Sequence, residues 1–302
     1  MSSKLKDFIN NPQYFITSPA AKGYLDWVPD AVYLKILYRI VTHRKLHLRH
    51  PKHYNEKLQW MKLHDRKPEY ARMVDKYEVR SYIAELLGEE YLIPCLGVYS
   101  SFEDIDFDKL PDRFVIKCTH DSGSVVICKD KSAFDIESAR NQINAGMKRN
   151  YYSTYREWPY KGVKPRIIIE QYMDGDDGDL KDYKVMCFDG KALMVQTHEN
   201  RFVEGKEHTQ TFYDRDWKIL DLKQFGLEPV DEPGERPALM DEIFRLSEIV
   251  SRDMCHVRVD WYIIDEKIYF GEITFYDGSG FDAFLTEDME EYMGSLIKLP
   301  ID

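Results

Sequence analysis

A chain of 302 residues is long enough to bury a sizeable core, and this one is 43% hydrophobic and 31% charged. It contains no run of eighteen apolar residues, which excludes a membrane-spanning helix, and its first residues lack the apolar segment of a signal peptide. The five cysteines follow neither a disulfide pattern nor a zinc pattern, so we expect a reduced, cytoplasmic protein.

The net charge of −11 is unevenly distributed along the chain. Residues 31–67 hold 10 Lys and Arg against 2 Asp and Glu, whereas residues 81–302 hold 26 against 45. A chain this acidic repels nucleic acid, so we expect no nucleic-acid partner. The basic stretch 31–67 is the candidate contact for a membrane surface or another polyanion, or a collector of anionic substrate. The alternative is a solvated helix face.

The first third of the chain has helical patterns. Apolar residues recur at helical spacing through residues 24–48, and Pro51 ends that pattern. The segment YNEKLQWMKLHDR, residues 54–66, predicts a second amphipathic helix. Asp75 is a candidate N-cap for a third helix, KYEVRSYIAELLG, which Gly88 closes. Residues 1–72 are therefore expected to form a helical, basic N-terminal region.

Short β-rich runs follow. RFVIKC and SVVICKD flank the small-residue segment THDSG, and residues 132–150 are expected to be helical. RIIIEQYM, DYKVMCFDG and KALMVQTHE predict three more strands, the last two joined by a hairpin turn at Asp189–Gly190. RPALMDEIFRLSEIVSRDM then predicts a helix. Because several neighbouring strands are joined as hairpins, the pattern favours an α+β fold over a doubly wound sheet.

The last hairpin, HVRVDWYIIDEKIYFGEITF (residues 256–275), carries an acid inside each strand. A three-residue turn at 265–267 would place Asp260 directly opposite Glu272, with their Cβ atoms about 5 Å apart. Carboxylates that close repel each other unless a proton or a cation lies between them, and their oxygens suit Mg²⁺. Two alternatives stay open: both acids face water, or a two-residue turn shifts the register and separates them.

A candidate phosphate loop lies between two strands in VIKCTHDSGSVVI. Lys117 ends the first strand, and the small residues after it allow backbone N–H groups to approach phosphate oxygens. The segment is not a Walker loop, because no Gly-Lys-Ser/Thr run opens a helix. An ordinary β-turn is the alternative.

Four segments of the chain resemble, in order and spacing, the motifs of the ATP-grasp ligases: VDKYEVRSYI, FVIKCTHDSG, IIIEQYM with DYKVMCFDG, and VRVDWY with FGEIT. With YNEKLQWMKLHDRKPEYARMVDKYEVR added, the chain is similar to the TupA-like ATP-grasp family, which is associated with teichuronopeptide and capsular polysaccharide synthesis. The resemblance implies two α+β subdomains that sandwich the nucleotide. The expected small subdomain, with the phosphate flap, is 73–170, and the large one, with the metal site, is 171–302.

The resemblance also implies roles for individual residues. The nucleotide-binding set comprises two phosphate-binding lysines, the flap, the adenine slot, a ribose-binding acid and a lysine for the terminal phosphate: Lys76, Lys117, Thr119, Ser122, Gly123, Ser124, Glu170, Gln171, Tyr172, Met173, Asp182 and Lys184. Arg258 and Lys184 would be catalytic, with Arg258 neutralising the transferring phosphoryl group. Asp260 and Glu272 would hold one or two Mg²⁺ ions.

Two features are less well defined by the resemblance. Thr274 stands where the commoner motif has Asn, so its contribution as a third metal ligand, and with it the second Mg²⁺, stays open. His120, in the flap, and Arg201, in HENRF, are candidate contacts for the substrate.

The implied activity is an ATP- and Mg²⁺-dependent carboxylate–amine ligase that forms an amide bond through an acylphosphate. Its expected partners are a carboxylate-bearing sugar or sugar nucleotide, such as a uronic acid, and a small amine. One alternative is a sugar-nucleotide-dependent glycosyltransferase, to which the acidic run DGDDGD, residues 174–179, would supply a metal site. Another is a nucleotide-binding module without catalytic activity.

Overall fold

The structure, a computed structural model, describes residues 13–174, 181–200, 207–224 and 226–301. The α-helices in these ranges are α1 Tyr14–Ala21, α2 Asp30–Thr42, α3 Tyr54–His64, α4 Tyr70–Val74, α5 Glu78–Leu86, α6 Ile136–Met147, α7 Tyr151–Tyr155, α8 Met240–Val250 and α9 Glu287–Leu296. The strands are β1 Cys95–Tyr99, β2 Phe114–Cys118, β3 Val125–Cys128, β4 Ile167–Gln171, β5 Asp182–Phe188, β6 Lys191–Glu199, β7 Thr209–Asp214, β8 His256–Ile264 and β9 Lys267–Thr274.

The helix predicted over residues 24–48 is shorter in the structure. It is α2, which begins after Pro29 and ends at Thr42, before His43, whose φ of 57° is left-handed. A residue before proline avoids the helical conformation, which explains the late start. The predicted helix at 54–66 is present as α3. Asp75 Oδ1 accepts hydrogen bonds from the N–H groups of Tyr77, which precedes α5, and Glu78, its first residue.

Both sheets are antiparallel throughout, which confirms the α+β prediction. Their strand orders are β1-β4-β2-β3 and β7-β6-β5-β8-β9. The predicted hairpin between β5 and β6 is also confirmed. Asp189 and Gly190 have φ values of 51° and 70°, as a type I′ turn requires, and Gly190 adopts this conformation without a Cβ clash.

The chain forms two compact units. The first contains residues up to Leu46, Lys62–Tyr82 and Ile93–Tyr172, and the second contains His47–Met61, Ile83–Leu92 and residues from Met173 onward. The four-stranded sheet belongs to the first unit and the five-stranded sheet to the second.

Each unit has its own hydrophobic core. In the first, α6 packs on β2 and β3 around Phe114, Ile116 and Ile143. In the second, α8 packs on β5, β6 and β8, and the buried Trp261 indole N–H donates a hydrogen bond of 2.8 Å to the Ser247 hydroxyl of α8. Among the described residues, no helix is both long enough and apolar enough to cross a membrane.

Candidate functional site

The β8–β9 hairpin places its two acids opposite each other, although its turn differs from the prediction. The turn has two residues, Asp265 and Glu266, with φ values of 48° and 58°, so the predicted three-residue turn is wrong. Asp260 nevertheless pairs with Glu272, because a β-bulge between the turn and this pair leaves Gly271 unpaired and restores the register. The expectation that a two-residue turn would separate the acids is therefore also wrong.

Gly271 is required at the bulge because the opposite strand approaches it closely. A Cβ on this residue would lie 3.0 Å from the Asp260 carbonyl oxygen and 3.1 Å from the Tyr262 ring. We expect Gly271→Ala to lower the free energy of unfolding by about 1–2 kcal/mol, measured by urea denaturation. Gly234→Ala, at a glycine with open space around its Cα, is the matched control. Equal stability of the two variants would contradict this account of the bulge.

Five charged side chains on β5, β8, β9 and the segment after β9 form the Arg258 cluster: Lys184, Arg258, Asp260, Glu272 and Asp277. The Arg258 guanidinium donates to Asp260 Oδ1 at 2.7 Å, to Asp260 Oδ2 at 2.8 Å and to Glu272 Oε1 at 3.0 Å, and it also donates to Asp277. Lys184 Nζ donates to Asp260 Oδ2 at 2.7 Å. Two cations therefore lie among three carboxylates, which removes the repulsion expected between the paired acids.

Burial and charge act in opposite directions on the pKa values of this cluster. Burial by itself raises the pKa of Asp260, but Arg258 and Lys184 outweigh it and hold that pKa below its usual value. Burial likewise lowers the pKa of Lys184, and the charge of Asp260 more than offsets it, so the pKa is raised. Burial also lowers the pKa of Arg258, but the charges of Asp260 and Asp277 outweigh it and raise that pKa. Asp260, Lys184 and Arg258 are therefore ionised at neutral pH.

The other predicted residues of the second unit lie beside this cluster. Asp182 is 3.4 Å from Lys184 Nζ, and Thr274 pairs with Arg258 across the hairpin. The Thr274 hydroxyl donates to Glu272 Oε1 at 3.1 Å. Thr274 therefore orients the carboxylate of Glu272 from the position that carries Asn in the commoner motif.

The donor set fits a divalent cation that prefers hard oxygen ligands, as Mg²⁺ does. Asp260 already accepts three N–H bonds, whereas the Glu272 side chain is 44% exposed, and its hydrogen bonds from described residues all reach Oε1. Glu272 is thus the more available ligand of the pair.

In the first unit, two of the residues assigned to nucleotide binding by resemblance, Lys117 and Glu170, lie together. Lys117 Nζ donates to Glu170 Oε2 at 2.7 Å across the neighbouring strands β2 and β4, and Arg80 contacts Oε1 at 3.3 Å. We call Arg80, Lys117 and Glu170 the Glu170 cluster. Arg80 was not predicted. No motif in the sequence marks it as a site residue; it is one basic residue in the helix that follows the predicted N-cap.

The predicted flap, residues 119–124, contacts Lys76 and α6 within the first unit. Lys76 Nζ donates to the carbonyl oxygen of Asp121, and the Lys76 N–H donates to the Thr119 carbonyl at 3.0 Å. A Cβ on Gly146 of α6 would lie 2.2 Å from Ser124 Oγ, so this glycine allows the flap to reach the helix. The flap residues divide into a buried group, Thr119, His120, Asp121 and Ser124, and an exposed tip, Ser122 and Gly123.

The remaining predicted residues lie at the end of the first unit or beyond the described ranges. The Gln171 N–H donates to the Pro94 carbonyl at 2.9 Å, Arg113 lies over the Tyr172 ring at 5.2 Å, and Met173 is half-buried. Arg201 lies outside the described residues, as does the acidic run DGDDGD after Asp174.

Three solved structures illustrate what this chain is similar to. D-alanine–D-alanine ligase from Bacillus anthracis complexed with ATP is 17% identical, with a TM-score of 0.39, over 67% of this chain and 53% of that chain. D-alanyl-alanine synthetase A from Vibrio cholerae is 11% identical, with a TM-score of 0.41, over 73% and 62%. The ATP-grasp ligase PsnB, complexed with a phosphomimetic variant of its minimal precursor, Mg and ADP, is 10% identical, with a TM-score of 0.42, over 80% and 65%.

This chain thus spans between about half and two thirds of the length of each of those chains. No curated protein matches it. The sequence profile of the family described as TupA-like ATPgrasp matches residues 56–298, which is most of the chain. It covers the hairpin with Asp260 and Glu272, the Glu170 cluster and the flap. The chain therefore belongs to the TupA-like ATP-grasp family.

Proposed function

We propose that the protein is an ATP- and Mg²⁺-dependent carboxylate–amine ligase that forms an amide bond through an acylphosphate. The observation that carries the proposal is the pairing of Asp260 with Glu272 in register, with Arg258 and Lys184 beside them, in a member of an ATP-grasp family. Phosphoryl transfer demands neutralisation of charge at the transferred group, and no nucleophilic side chain of the protein is needed.

In the second unit, four members of the Arg258 cluster have tasks in this proposal. Glu272 and Asp260 would hold Mg²⁺, which supplies positive charge to the phosphate oxygens when it is bound. Arg258 neutralises the transferring phosphoryl group, and Lys184, held by Asp260 at 2.7 Å, binds the terminal phosphate. Because both cations are already fixed by buried ion pairs, little reorganisation is required when charge develops.

In the first unit, we propose that Lys76 and Lys117 bind phosphate oxygens, with the exposed tip Ser122–Gly123 supplying backbone N–H groups. Glu170, whose carboxylate is already fixed by Lys117 and Arg80, accepts a hydrogen bond from the adenine amino group. The backbone of residues 171–173 completes the adenine slot. Within the second unit, Asp182, which lies 3.4 Å from Lys184 Nζ, is the proposed ribose-binding acid.

For the substrates, we propose a uronic acid carried by a sugar nucleotide or a glycan, joined to a small amine in the synthesis of a cell-surface polysaccharide in the cytoplasm. The resemblance of residues 54–80 to the TupA-like branch supports this choice. The basic stretch 31–67 suits an anionic acceptor of this kind, because it would raise the local concentration of such a molecule. His120 and Arg201 remain the proposed contacts for the carboxylate substrate.

The test combines nucleotide preference with product formation. We expect an ATP analogue with Mg²⁺ to raise the melting temperature and UDP-glucose to leave it unchanged, because the proposed site is built for a triphosphate. Incubation with ATP, Mg²⁺ and a panel of D-glucuronate or D-galacturonate with ethanolamine, glycine or L-glutamate should release ADP. Mass spectrometry should then show one acid–amine pair joined with loss of water. Stabilisation by UDP-glucose instead of ATP would refute the ligase and indicate a glycosyltransferase.

A further inference from the structure

The segment that follows β9 forms a tight loop held by α3. In this 277–282 loop, Gly278, Ser279 and Gly280 have φ values of 52°, 54° and 64°. Gln59 Nε2 donates to the Ser279 carbonyl at 3.2 Å and to the Gly280 carbonyl at 2.6 Å. The loop is therefore fixed in a left-handed path by a side chain that lies more than 200 residues earlier in the sequence.

Asn55 of α3 holds the end of the same loop. Its Nδ2 donates to the Asp282 carbonyl oxygen at 2.9 Å and to Glu290 Oε1 at 2.9 Å. A Cβ on Gly278 would lie 1.8 Å from Asp282 Oδ2, so only glycine leaves room for this carboxylate against the loop backbone. The loop and α3 together set the position of the Asp282 carboxylate.

Several hydrogen-bond acceptors on the loop and on the α3 side chains that hold it have no donor among the described residues. The Asp282 carboxylate accepts no hydrogen bond from a described residue, and Asp277, whose partner is Arg258, belongs to the same loop. Asn55 Oδ1 and Gln59 Oε1 are buried and have no partner within the described ranges, and both side chains are at least 99% buried. Unpartnered acceptors of this kind suit a ligand that only donates, such as an ammonium group.

The charge state of Asp282 suits proton transfer near neutral pH. Burial and the charge of Asp277 raise its pKa to about 7, and Arg258 acts in the opposite direction. Within the described part of the chain, further ionisable groups near the loop include Tyr54 of α3, Glu290 of α9 and His256 of β8. A general base works best when its pKa lies close to the pH at which the enzyme operates.

We propose that the 277–282 loop binds the amine nucleophile as its ammonium and that the Asp282 carboxylate takes one proton from it. The neutral amine then attacks the acyl carbon, the C–N bond forms, and the bond from that carbon to the phosphate oxygen breaks. The departing phosphate takes the second nitrogen proton as hydrogen phosphate, and Asp282 releases its proton to solvent. This inference rests on the proposed ligase function and adds to it the site of the second substrate.

The test separates the two chemical steps with hydroxylamine, which is already neutral at pH 7 and needs no base. With ATP, Mg²⁺ and the uronate that reacts in the panel, Asp282→Asn should form hydroxamate within about twofold of wild type. With the amine that reacts in the panel, the same variant should lose at least a hundredfold in amide formation. In wild type, amide formation should rise with pH through about 7, because the base must be ionised, while hydroxamate formation should not.

Asp288→Asn, an exposed acid on α9, is the matched control and should behave as wild type in both assays. If Asp282→Asn forms amide as fast as wild type, or loses hydroxamate and amide equally, the inference is overturned. If wild type forms no hydroxamate with either uronate, the proposed ligase function fails. In that case the inference, which depends on that function, is overturned with it.

Discussion

Replacing Glu272 by Gln is expected to abolish ADP release while leaving the fold intact. Its side chain is 44% exposed, and its ion pair with Arg258 is one of several that hold that guanidinium. The free energy of unfolding should therefore change by no more than about 1 kcal/mol. The loss of a metal ligand should lower ADP release at least a hundredfold, measured with a coupled ADP assay and urea denaturation side by side.

Asp260→Asn should lower both ADP release and the free energy of unfolding. Asp260 is 2% exposed and is the shared partner of Arg258 and Lys184, so its neutralisation leaves two buried cations with too little negative charge. Breaking such a network costs about 3–5 kcal/mol. Glu266→Gln, in the exposed turn of the same hairpin, is the control for charge removal. Full ADP release by Glu272→Gln would show that the proposed metal ligands are wrong.

The second large effect is a loss of stability in weak acid that depends on His256. Its ring is fully buried, with Nδ1 at 2.8 Å from the Cys187 carbonyl oxygen and Nε2 at 2.8 Å from the Tyr54 hydroxyl. The neutral ring satisfies both contacts, with Nδ1–H as donor and Nε2 as acceptor. Burial lowers the pKa of His256 from 6.5 to about 4.

Since the unfolded chain takes up this proton below pH 6.5 and the folded one only near pH 4, the stability contributed by neutral His256 falls as the pH drops through that window. The loss should be about 2 kcal/mol between pH 7 and pH 5, measured by urea denaturation at both values. His256→Gln should lose that part of the pH dependence, and His50→Gln, at an exposed histidine, should retain it. An unchanged pH dependence in His256→Gln would show that another group is responsible.

Local patterns in the sequence predicted much of this fold, because hairpin turns and helical periodicity depend on neighbouring residues. The Asp189–Gly190 turn and the α3 helix are examples. The facing acids were also predicted, but for a partly wrong reason. The prediction gave the turn one residue too many and omitted the bulge, and these two errors cancelled. The bulge itself depends on the close approach of the strands at Gly271, which is visible only in the structure.

Asp277, Asp282 and Arg80 were not predicted as site residues, because tertiary packing gives them their positions. Asp277 lies outside the strands, so no strand periodicity predicts where its side chain points. Its contact with Arg258 depends on the left-handed loop that Gln59 holds. Arg80 contacts Glu170, which lies 90 residues further along the chain. Contacts of this range leave no periodic signal in a single sequence.

The hold of α3 on the 277–282 loop limits how the protein can be shortened. A fragment that begins at residue 73 would keep every predicted metal ligand. Its second unit would nevertheless lack His47–Met61, and with them Asn55 and Gln59. In that fragment the 277–282 loop would lose the hydrogen bonds that fix its conformation. Recombinant versions intended for screening or for grafting onto other ligases therefore have to begin upstream of His47.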